Sequence, residues 1–436
     1  MALAEGKSRI RRPQTRPTQG SSKPGFQAEL LIETVGAQGD GLCANGVFVP
    51  LTLPGERVLA MVSGARGDVE AVLTPSPQRV EPSCAHFGIC GGCAMQHWDH
   101  APYLAWKAEQ IRLALGRERI ETEILPAFGV QPGSRRRLAL HARRGTHYAA
   151  KLGFKARRSW DLVPITVCPV SNPRLVAAFP AMVALAAPLF EHPKSAPTLH
   201  VTLTETGIDI DITGVEAKSG GLSADARMRI AETAAAADFA RVTLAGDMMY
   251  GARTPMVRVG QAIVALPPGA FLQAVPAAEA IMADFVVASV AGADKVADLY
   301  CGIGAFALRL AVKASVLAID SAELAIKALA SARATAPGLK AIEVQTRDLA
   351  RRPLLAQEMA KMDAVVFDPP RTGAAEQAIQ IAQSKVPLAL GVSCNPATFA
   401  RDARILTDAG FVLQRLLPVD QFLWSPHVEL VGVFSR

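Results

Sequence analysis

Apolar runs alternate with alanine-rich segments in the C-terminal part of the chain. The runs that are apolar almost throughout, as strands buried on both faces are, comprise Lys295–Tyr300, Val316–Asp320, Asp363–Asp368 and Leu388–Ser393. The segments between them are rich in Ala and Leu and favour helices. Strands that alternate with helices are typical of an α/β domain, which we expect over residues 256–436.

Short strands are predicted for the N-terminal part of the chain. Within residues 26–80 they are separated by glycine-containing turns and cover Glu29–Glu33, Gly46–Leu51, Arg57–Ser63 and Asp68–Thr74. Five or so short strands in about 55 residues suit a small β-barrel of the OB type. Residues 81–255 predict a mixed α+β domain with a helix near Tyr103–Leu115. Residues 1–25, with almost no large apolar side chains, predict a disordered tail.

Length and apolar content exclude a small or globally disordered protein. The 436 residues are 50% hydrophobic and 19% charged, which suffices for a sizeable core in two or three domains. The segment that comes nearest to a membrane span, Leu175–Phe190, is too short and contains two prolines, so it predicts a buried helical region and no membrane association. The N-terminus lacks the apolar stretch of a secretory signal, and we expect a cytoplasmic protein.

The net charge of +7 conceals two basic segments. Residues 1–25 hold six Lys and Arg against one acid, and residues 132–158 hold nine against none. A basic tail and a basic patch on a mildly acidic body are typical of a nucleic-acid-binding protein, with a solubilising surface as the simpler alternative. The second segment predicts a hairpin that places Arg136 and Arg143 on a common rim that binds nucleic-acid phosphates.

Four of the seven cysteines are spaced as ligands of a metal cluster. Three share a glycine-rich loop and the fourth is distant: Cys84, Cys90, Cys93 and Cys168. The grouping resembles iron–sulfur ligation, in which four thiolates close the cluster; zinc is less favoured because only one CxxC pair is present. Unrelated buried cysteines are the remaining alternative. With a fourth cysteine available, His86 and His97 are expected to be ordinary loop or packing residues.

A glycine-containing turn follows the first strand of the predicted α/β domain. The sequence Cys301-Gly-Ile-Gly304 comes directly after Lys295–Tyr300, and Asp320 ends the next strand, where it can accept two ribose hydroxyls. The third glycine that a dinucleotide pyrophosphate needs is missing, so S-adenosylmethionine fits better. Asp348, after a further predicted strand, is another candidate for the adenosine pocket.

Two further predicted strands end in reactive side chains. Asp368 is followed by two prolines, and Cys394 is followed by Asn395-Pro396. Proline directly after a strand ends it and fixes the following loop. Cys394 is therefore predicted to be a nucleophile at the cofactor edge of the sheet, with a small buried side chain as the alternative.

These motifs together resemble the TrmA/RumA family of RNA uracil-5-methyltransferases over most of the chain. The matching segments are Phe271-Leu-Gln273, Asp298-Leu-Tyr-Cys-Gly-Ile-Gly304, Asp368-Pro-Pro-Arg371, Ser393-Cys-Asn-Pro-Ala-Thr398 with Ala400-Arg-Asp402, and His427-Val-Glu-Leu430. The resemblance implies a Rossmann-like class I methyltransferase domain, a TRAM-type barrel over residues 26–80 and a [4Fe–4S] cluster on the four cysteines. Ala305, where the family often has Asn, and Asp320, where Glu is common, depart from the pattern.

The resemblance also implies roles for individual residues. Cys394 is the expected nucleophile that adds to C6 of uracil, and Glu429 is the expected base that removes the C5 proton. The residues expected at the cofactor or the uracil are Gln273, Tyr300, Asp320 and Asp368. The expected substrate is 23S rRNA, because the tRNA branch of the family lacks both the cluster and the TRAM domain, and the expected protein is a monomer.

Three alternatives remain open. A tRNA uridine-5-methyltransferase is the nearest one. A radical enzyme uses three closely spaced cysteines and S-adenosylmethionine, but here the first gap is five residues and Cys168 can close the site. A non-catalytic RNA-binding protein with a decayed methyltransferase domain has only Ala305 in its favour, against intact Cys394 and Glu429.

Overall fold

The structure, a computed structural model, describes residues 25–145, 149–218 and 220–436. Apart from Gly25, the tail predicted to be disordered lies outside the described residues. The chain forms two compact units. The N-terminal unit comprises the described residues up to Ala105 with Lys155–Val163 and Trp424–Pro426, and the main unit comprises Trp106–Phe154, Pro164–Leu423 and His427–Arg436.

Six strands form one sheet in the N-terminal unit. They are β1 (Phe26–Leu31), β2 (Thr34–Val35), β3 (Asp40–Leu42), β4 (Phe48–Pro50), β5 (Arg57–Ser63) and β6 (Arg66–Thr74). In the order β1-β5-β6-β4-β3-β2 every neighbouring pair is antiparallel except β4 and β6. Alternate residues of β5 (Val58, Ala60 and Val62) enter its core. The four predicted strands are confirmed, and the barrel and TRAM assignments stay predictions.

A mixed sheet with helices forms the first part of the main unit. Its elements in chain order are α1 (His100–Arg117), β7 (Glu123–Ile124), β8 (Phe128–Gly129), β9 (Arg137–Arg144), β10 (Ala150–Lys155), β11 (Leu162–Pro164), α2 (Pro173–Ala177), α3 (Phe179–Ala186), β12 (Thr198–Thr204), β13 (Gly207–Thr213), α4 (Ala224–Ala236), β14 (Arg241–Leu244) and β15 (Asp247–Gly251). The sheet order is β11-β10-β9-β12-β13-β14-β15, and α1, β10 and β11 cross the boundary between the units.

Helices α2 and α3 and a following 3-10 helix, Ala187–Phe190, confirm the buried helical region predicted for Leu175–Phe190. Leu175, Phe179 and Met182 lie in the core under this sheet. The residues that the structure describes contain no helix with the length and apolar content needed to cross a lipid bilayer.

The C-terminal part of the main unit alternates strands and helices, as predicted. Its elements are β16 (Met256–Val259), β17 (Ala262–Ala265), α5 (Pro276–Ser289), β18 (Lys295–Leu299), α6 (Ala307–Leu310), β19 (Ser315–Asp320), α7 (Glu323–Thr335), β20 (Ile342–Thr346), β21 (Ala364–Phe367), α8 (Ala375–Gln383), β22 (Leu388–Ser393), α9 (Pro396–Asp408), β23 (Val412–Asp420) and β24 (Glu429–Ser435). Strands β16 and β17 form a separate hairpin.

The large sheet has the order β20-β19-β18-β21-β22-β24-β23-β7, and β8 also pairs with β23. Strands β18 to β22 are parallel to one another, and β24 is antiparallel to both β22 and β23. The strand order reverses at β18, which lies between β19 and β21. Because strands β18 to β22 are parallel, their carboxyl ends meet at one edge of the sheet, and ligands bind at this edge in open α/β sheets.

Candidate active site

The first half of the site lies where strand β18 ends. Tyr300 and Gly302 both adopt left-handed backbone conformations, with φ of 61° and 54°, which turn the chain sharply after the strand. A Cβ atom on Gly302 would meet no atom within 4 Å, so this turn faces open space that a ligand can occupy. A Cβ atom on Gly304 would come within 2.5 Å of Leu329, so this second glycine permits close packing against α7.

Asp320, at the end of β19, braces the same turn. Its Oδ2 accepts a hydrogen bond from Gly302 N at 2.9 Å, and its Oδ1 accepts one from the backbone N–H two residues further on at 2.8 Å. Burial raises the pKa of Tyr300 to about 12, and the negative charges of Asp402, Asp348 and Asp320 act in the same direction. The structure thus places Asp320 and Asp348, both predicted for the adenosine pocket, within electrostatic range of Tyr300.

The second half of the site is built from the loops after β21 and β22. Asn395 caps the N-terminus of α9, because its side-chain oxygen accepts a hydrogen bond from Ala397 N at 3.1 Å. The Nδ2 of the same residue donates to Arg371 O at 3.1 Å, and Thr398 Oγ1 donates to that oxygen at 3.3 Å. The loop that carries Cys394 is therefore joined to the loop that follows Asp368.

The thiol of Cys394 lies among charged groups. Burial raises its pKa, and the negative charges of Glu429 and Asp368 add to this effect. The positive charge of the Arg371 guanidinium opposes this shift and favours the thiolate. Three residues predicted separately are thus neighbours, together with a cation that sequence reasoning named only as the last residue of a motif.

Four side chains form a continuous row of hydrogen bonds through the site. Gln421 Nε2 donates to Glu429 Oε1 at 2.8 Å and to Gln273 Oε1 at 2.7 Å, and Gln273 Nε2 lies 3.3 Å from Asp368 Oδ2. Gln421 Oε1 accepts from Ala274 N at 3.1 Å. A backbone N–H can only donate, so the atom that contacts Ala274 N must be the amide oxygen of Gln421. The amide nitrogen of Gln421 therefore faces Glu429 and Gln273, and the amide oxygen of Gln273 must face Gln421.

Gln421 was missed by the sequence reasoning. Its only signal was its position between strand β23 and the His427–Leu430 motif. A glutamine there gives no indication that it contacts Gln273, which is 148 positions away in the chain.

Both carboxyl groups of this row have raised pKa values. Burial raises the pKa of Glu429 to about 8, and the charge of Asp368 adds to it while the hydrogen bond from Gln421 opposes it. Burial also raises the pKa of Asp368 to about 7, with a further contribution from the charge of Asp320. A carboxylate whose pKa lies near the working pH is suited to accept a proton from carbon.

Lys107 of helix α1 holds the segment that carries these residues. Its ammonium group is fully buried, forms an ion pair with Asp420, and donates to His427 O at 2.5 Å and to Phe422 O at 3.3 Å. Burial lowers the pKa of Lys107 to about 8, and Asp420 opposes the shift. The ion pair and two carbonyl contacts thus fix both ends of the segment between Asp420 and Glu429.

The predicted basic patch is only partly a surface feature. Strands β9 and β10 form the predicted antiparallel hairpin. Arg136, however, is 8% exposed, and its guanidinium donates to Glu279 Oε2 at 2.5 Å and to Gln273 O at 3.0 Å. The prediction that Arg136 contacts RNA phosphates is therefore wrong, because its charge is paired inside the protein. The guanidinium of Arg137 donates to Leu272 O at 2.9 Å. Arg136 and Arg137 thus hold the segment that ends in Gln273.

The cysteines predicted as cluster ligands are all partly buried thiols. Cys90 Sγ accepts from Gly92 N at 3.4 Å in the N-terminal unit, and Cys168 Sγ accepts from Ser171 Oγ at 3.1 Å in the main unit. Over the described parts of the chain, no group of three His, Cys, Asp or Glu side chains is arranged to hold a metal ion. His97 is buried with its ring 5.4 Å from that of Phe87, which confirms it as a packing residue.

Comparisons with known proteins identify the family to which this chain is similar. The model of the tRNA (uracil-5-)-methyltransferase family matches residues 253–436. A protein of Caulobacter vibrioides described as an uncharacterized RNA methyltransferase is 64% identical over 94% of this chain and 100% of its own length. The 23S rRNA (uracil(1939)-C(5))-methyltransferase RlmD of Halomonas elongata is 33% identical over 92% of this chain and 88% of its own.

A solved structure has the same fold along most of the chain. It is the tRNA (uracil-54, C5)-methyltransferase of Pyrococcus abyssi in complex with S-adenosyl-L-homocysteine, with a TM-score of 0.70 at 23% identity. The alignment covers 93% of this chain and 99% of that one. This likeness shows the class I fold of the C-terminal sheet.

Proposed function

Because the chain belongs to the family of S-adenosylmethionine-dependent RNA uracil-5-methyltransferases, we propose that it methylates C5 of a uridine in 23S rRNA through a covalent adduct with Cys394. The observation that carries the proposal is the convergence of Cys394, Arg371 and Glu429 at the carboxyl edge of the sheet. A thiol, a cation that favours its ionisation and a base are what addition to a uracil ring and its reversal require.

The residues around the glycine turn fit S-adenosylmethionine. The open space over Gly302 admits a ligand, and Asp320 lies where a carboxylate can accept hydrogen bonds from a ribose. We place the adenosine beside Tyr300, and Gln273 and Asp368 at the methyl donor or the uracil. When bound, the cofactor supplies an electrophilic methyl group on a sulfonium.

Cys394 makes the uracil reactive. Its thiolate forms a bond to C6, and the electron pair of the C5–C6 double bond moves onto C5, which thereby becomes nucleophilic. Arg371 stabilises the thiolate before the addition, since the positive charge of its guanidinium lowers the pKa of the thiol. C5 then takes the methyl group, a carbon–carbon bond forms and the methyl–sulfur bond breaks.

Glu429 resolves the adduct. Its carboxylate accepts the proton from C5, the C5–C6 double bond re-forms, and the thiolate of Cys394 leaves. The row through Gln421 and Gln273 holds the carboxylate in a fixed orientation. The proton removed from C5 ends on Glu429, whose pKa of about 8 favours accepting it and allows its later release to water.

Ribosomal RNA is favoured as the substrate over tRNA. The relative from Halomonas elongata acts on 23S rRNA by its name, and this chain aligns with 88% of its length. The four-cysteine pattern also matches the rRNA branch that the sequence resembles. Mapping of 5-methyluridine by mass spectrometry in rRNA and tRNA from a deletion strain decides between them, since the modification disappears only from the true substrate.

We further propose that Cys84, Cys90, Cys93 and Cys168 bind a [4Fe–4S] cluster. The support is the donor set, four thiols in the spacing of iron–sulfur ligands, together with glycines that let one loop turn closely. Anaerobic purification is expected to give a brown protein with about four iron and four sulfide per chain. Zinc in place of iron would contradict this proposal.

Trapping of the adduct tests the enzymatic proposal. RNA that contains 5-fluorouridine cannot lose fluorine as a cation, so the Cys394 adduct should survive denaturing electrophoresis. The Cys394→Ala variant is expected to form none, whereas Cys43→Ala, which alters a buried thiol of the N-terminal unit, should trap RNA like the wild type. An adduct in Cys394→Ala would refute the assignment.

A further inference from the structure

An exposed tryptophan stands out in the turn between strands β10 and β11. Trp160 is 78% exposed, the largest fraction among the large hydrophobic side chains of the described residues. Burial of an aromatic ring is a main source of folding free energy, and this ring contributes almost none of it. The ring therefore offers an exposed aromatic face, of the kind enriched at binding interfaces.

Hydrogen bonds close the turn that carries the ring. Ala156 N donates to Asp161 O at 2.8 Å, Ser159 Oγ donates to Asp161 Oδ2 at 2.8 Å, and Asp161 N donates back to Ser159 Oγ at 3.0 Å. Arg158 adopts a left-handed conformation with φ of 55°, which is uncommon for a residue other than glycine. The indole is thus presented by a closed turn within the N-terminal unit.

Cations surround the same turn. The Nζ of Lys155 lies 3.8 Å from the centroid of the Trp160 ring. The nearby carboxylate of Asp40 is 2% exposed, and it lies 2.8 Å from Arg157, 2.7 Å from Arg158 and 3.9 Å from Arg66. One buried anion thus organises three arginines and leaves two positive charges in excess.

The remaining charges of the turn do not cancel this excess. The charges of Lys155 and Asp161 cancel in the formal count. The turn, taken together with Asp40 and its three arginines, therefore carries a net charge of +2. Arg66 and Arg158 keep large parts of their side chains in solvent. They are therefore available to an anionic partner.

We propose that Trp160 stacks on an unpaired base of the substrate RNA while Arg66 and Arg158, the two more exposed of the three arginines around Asp40, bind the adjacent phosphates. Aromatic rings next to a cationic surface are how proteins bind single-stranded nucleic acid, since every base has a face that can stack. The inference rests on the proposed function for its partner, and it adds a contact in the N-terminal unit to the active site.

The cysteine loop supports this turn. Gly91 N donates to Lys155 O at 2.9 Å, and Cys90 forms a β-bridge with Ala156. A Cβ atom on Gly91 would lie 2.8 Å from Lys155 O and 2.9 Å from Arg157 N, so only glycine permits this approach. The loop that carries three of the predicted cluster ligands therefore also positions the RNA contact.

Three variants of the full-length protein test the contact. Trp160→Ala is expected to raise the Kd for a 23S rRNA fragment by about tenfold or more, because one stacked base is lost. Trp160→Phe should recover most of the affinity, since a smaller ring still stacks. Leu324→Ala, which removes a similarly exposed apolar side chain from α7, should bind RNA as the wild type does. The affinity for S-adenosylmethionine should be equal in all four proteins.

A fluorescence measurement reports on the ring itself. RNA should quench the wild-type emission, and the quenching should be largely absent in Trp160→Phe, in which the other three tryptophans remain. Equal RNA affinity in Trp160→Ala and the wild type would overturn the proposal. The proposal would be overturned equally if Trp160→Ala lost only the binding of another protein and kept its RNA affinity. Failure of the proposed function is distinct, because the wild type would then form no 5-methyluridine in any RNA.

Discussion

Replacement of Gln421 by Met tests whether the hydrogen-bonded row through the site controls the base. Methionine has nearly the same length and shape as glutamine but donates no hydrogen bond. The variant removes the donor to Glu429 Oε1 at 2.8 Å and the donor to Gln273 Oε1 at 2.7 Å. It also leaves Ala274 N without its acceptor.

The size of the effect follows from the charge of the acceptor. A hydrogen bond to an ionised group contributes about 1.5–3 kcal/mol, and each 1.4 kcal/mol corresponds to a tenfold change in rate. The bond from Gln421 favours the ionised form of Glu429, so its loss raises the pKa further above about 8. At neutral pH less of the base is ionised, and elimination should slow by about 10–100-fold.

The assay is single-turnover methylation of an RNA fragment followed over a range of pH. For Gln421→Met the rising limb of the rate profile should move to higher pH, and protein–RNA adduct should accumulate near pH 7. Gln414→Met is the matched control, because this glutamine of β23 is exposed and its side-chain amide donates to Ser435 Oγ at 2.9 Å at the protein surface. An unchanged pH profile, or a slower addition step without adduct, would refute the reasoning.

Three further predictions follow from the buried contacts. Glu429→Gln should transfer the methyl group but stall before elimination, so the adduct persists; denaturing electrophoresis detects it, and its absence would exclude Glu429 as the base. Arg136→Glu should place two negative charges together at Glu279 and lower the free energy of unfolding by about 3–5 kcal/mol, whereas exposed Arg144→Glu should change it by less than about 1 kcal/mol. Denaturant titration separates the two, and equal effects would contradict the burial argument. Lys107→Met should cost about 3–5 kcal/mol as well, because it leaves its buried partner carboxylate unpaired, and a wild-type unfolding midpoint would contradict it.

The sequence predicted the parts of the site that local patterns determine. Continuous apolar runs indicated the buried parallel strands, and β22 was predicted with its observed bounds, Leu388–Ser393. Because parallel strands end at a common edge, residues at their carboxyl ends, such as Asp320, Asp368 and Cys394, could be assigned to one site from the sequence alone.

Contacts between distant segments could not be predicted in this way. Arg136 lies in a basic run, which indicated a surface, but its partner Glu279 is 143 positions away and no periodicity connects them. Lys107 and its partner Asp420 are separated by 313 positions, and Gln421 gains its role only through the packing of β23 and β24. Such pairs depend on tertiary packing that composition and spacing do not encode.

The central claim is that the protein methylates uracil at C5 with Cys394 as the nucleophile and Glu429 as the base. Release of the C5 hydrogen tests this claim most directly. RNA transcribed with uridine tritiated at C5 is incubated with the protein and S-adenosylmethionine, and both tritium in water and 5-methyluridine are measured. One tritium should be released for each methyl group transferred, and neither event should occur in Cys394→Ala. Methylation without tritium release, or tritium release that persists in Cys394→Ala, would contradict it.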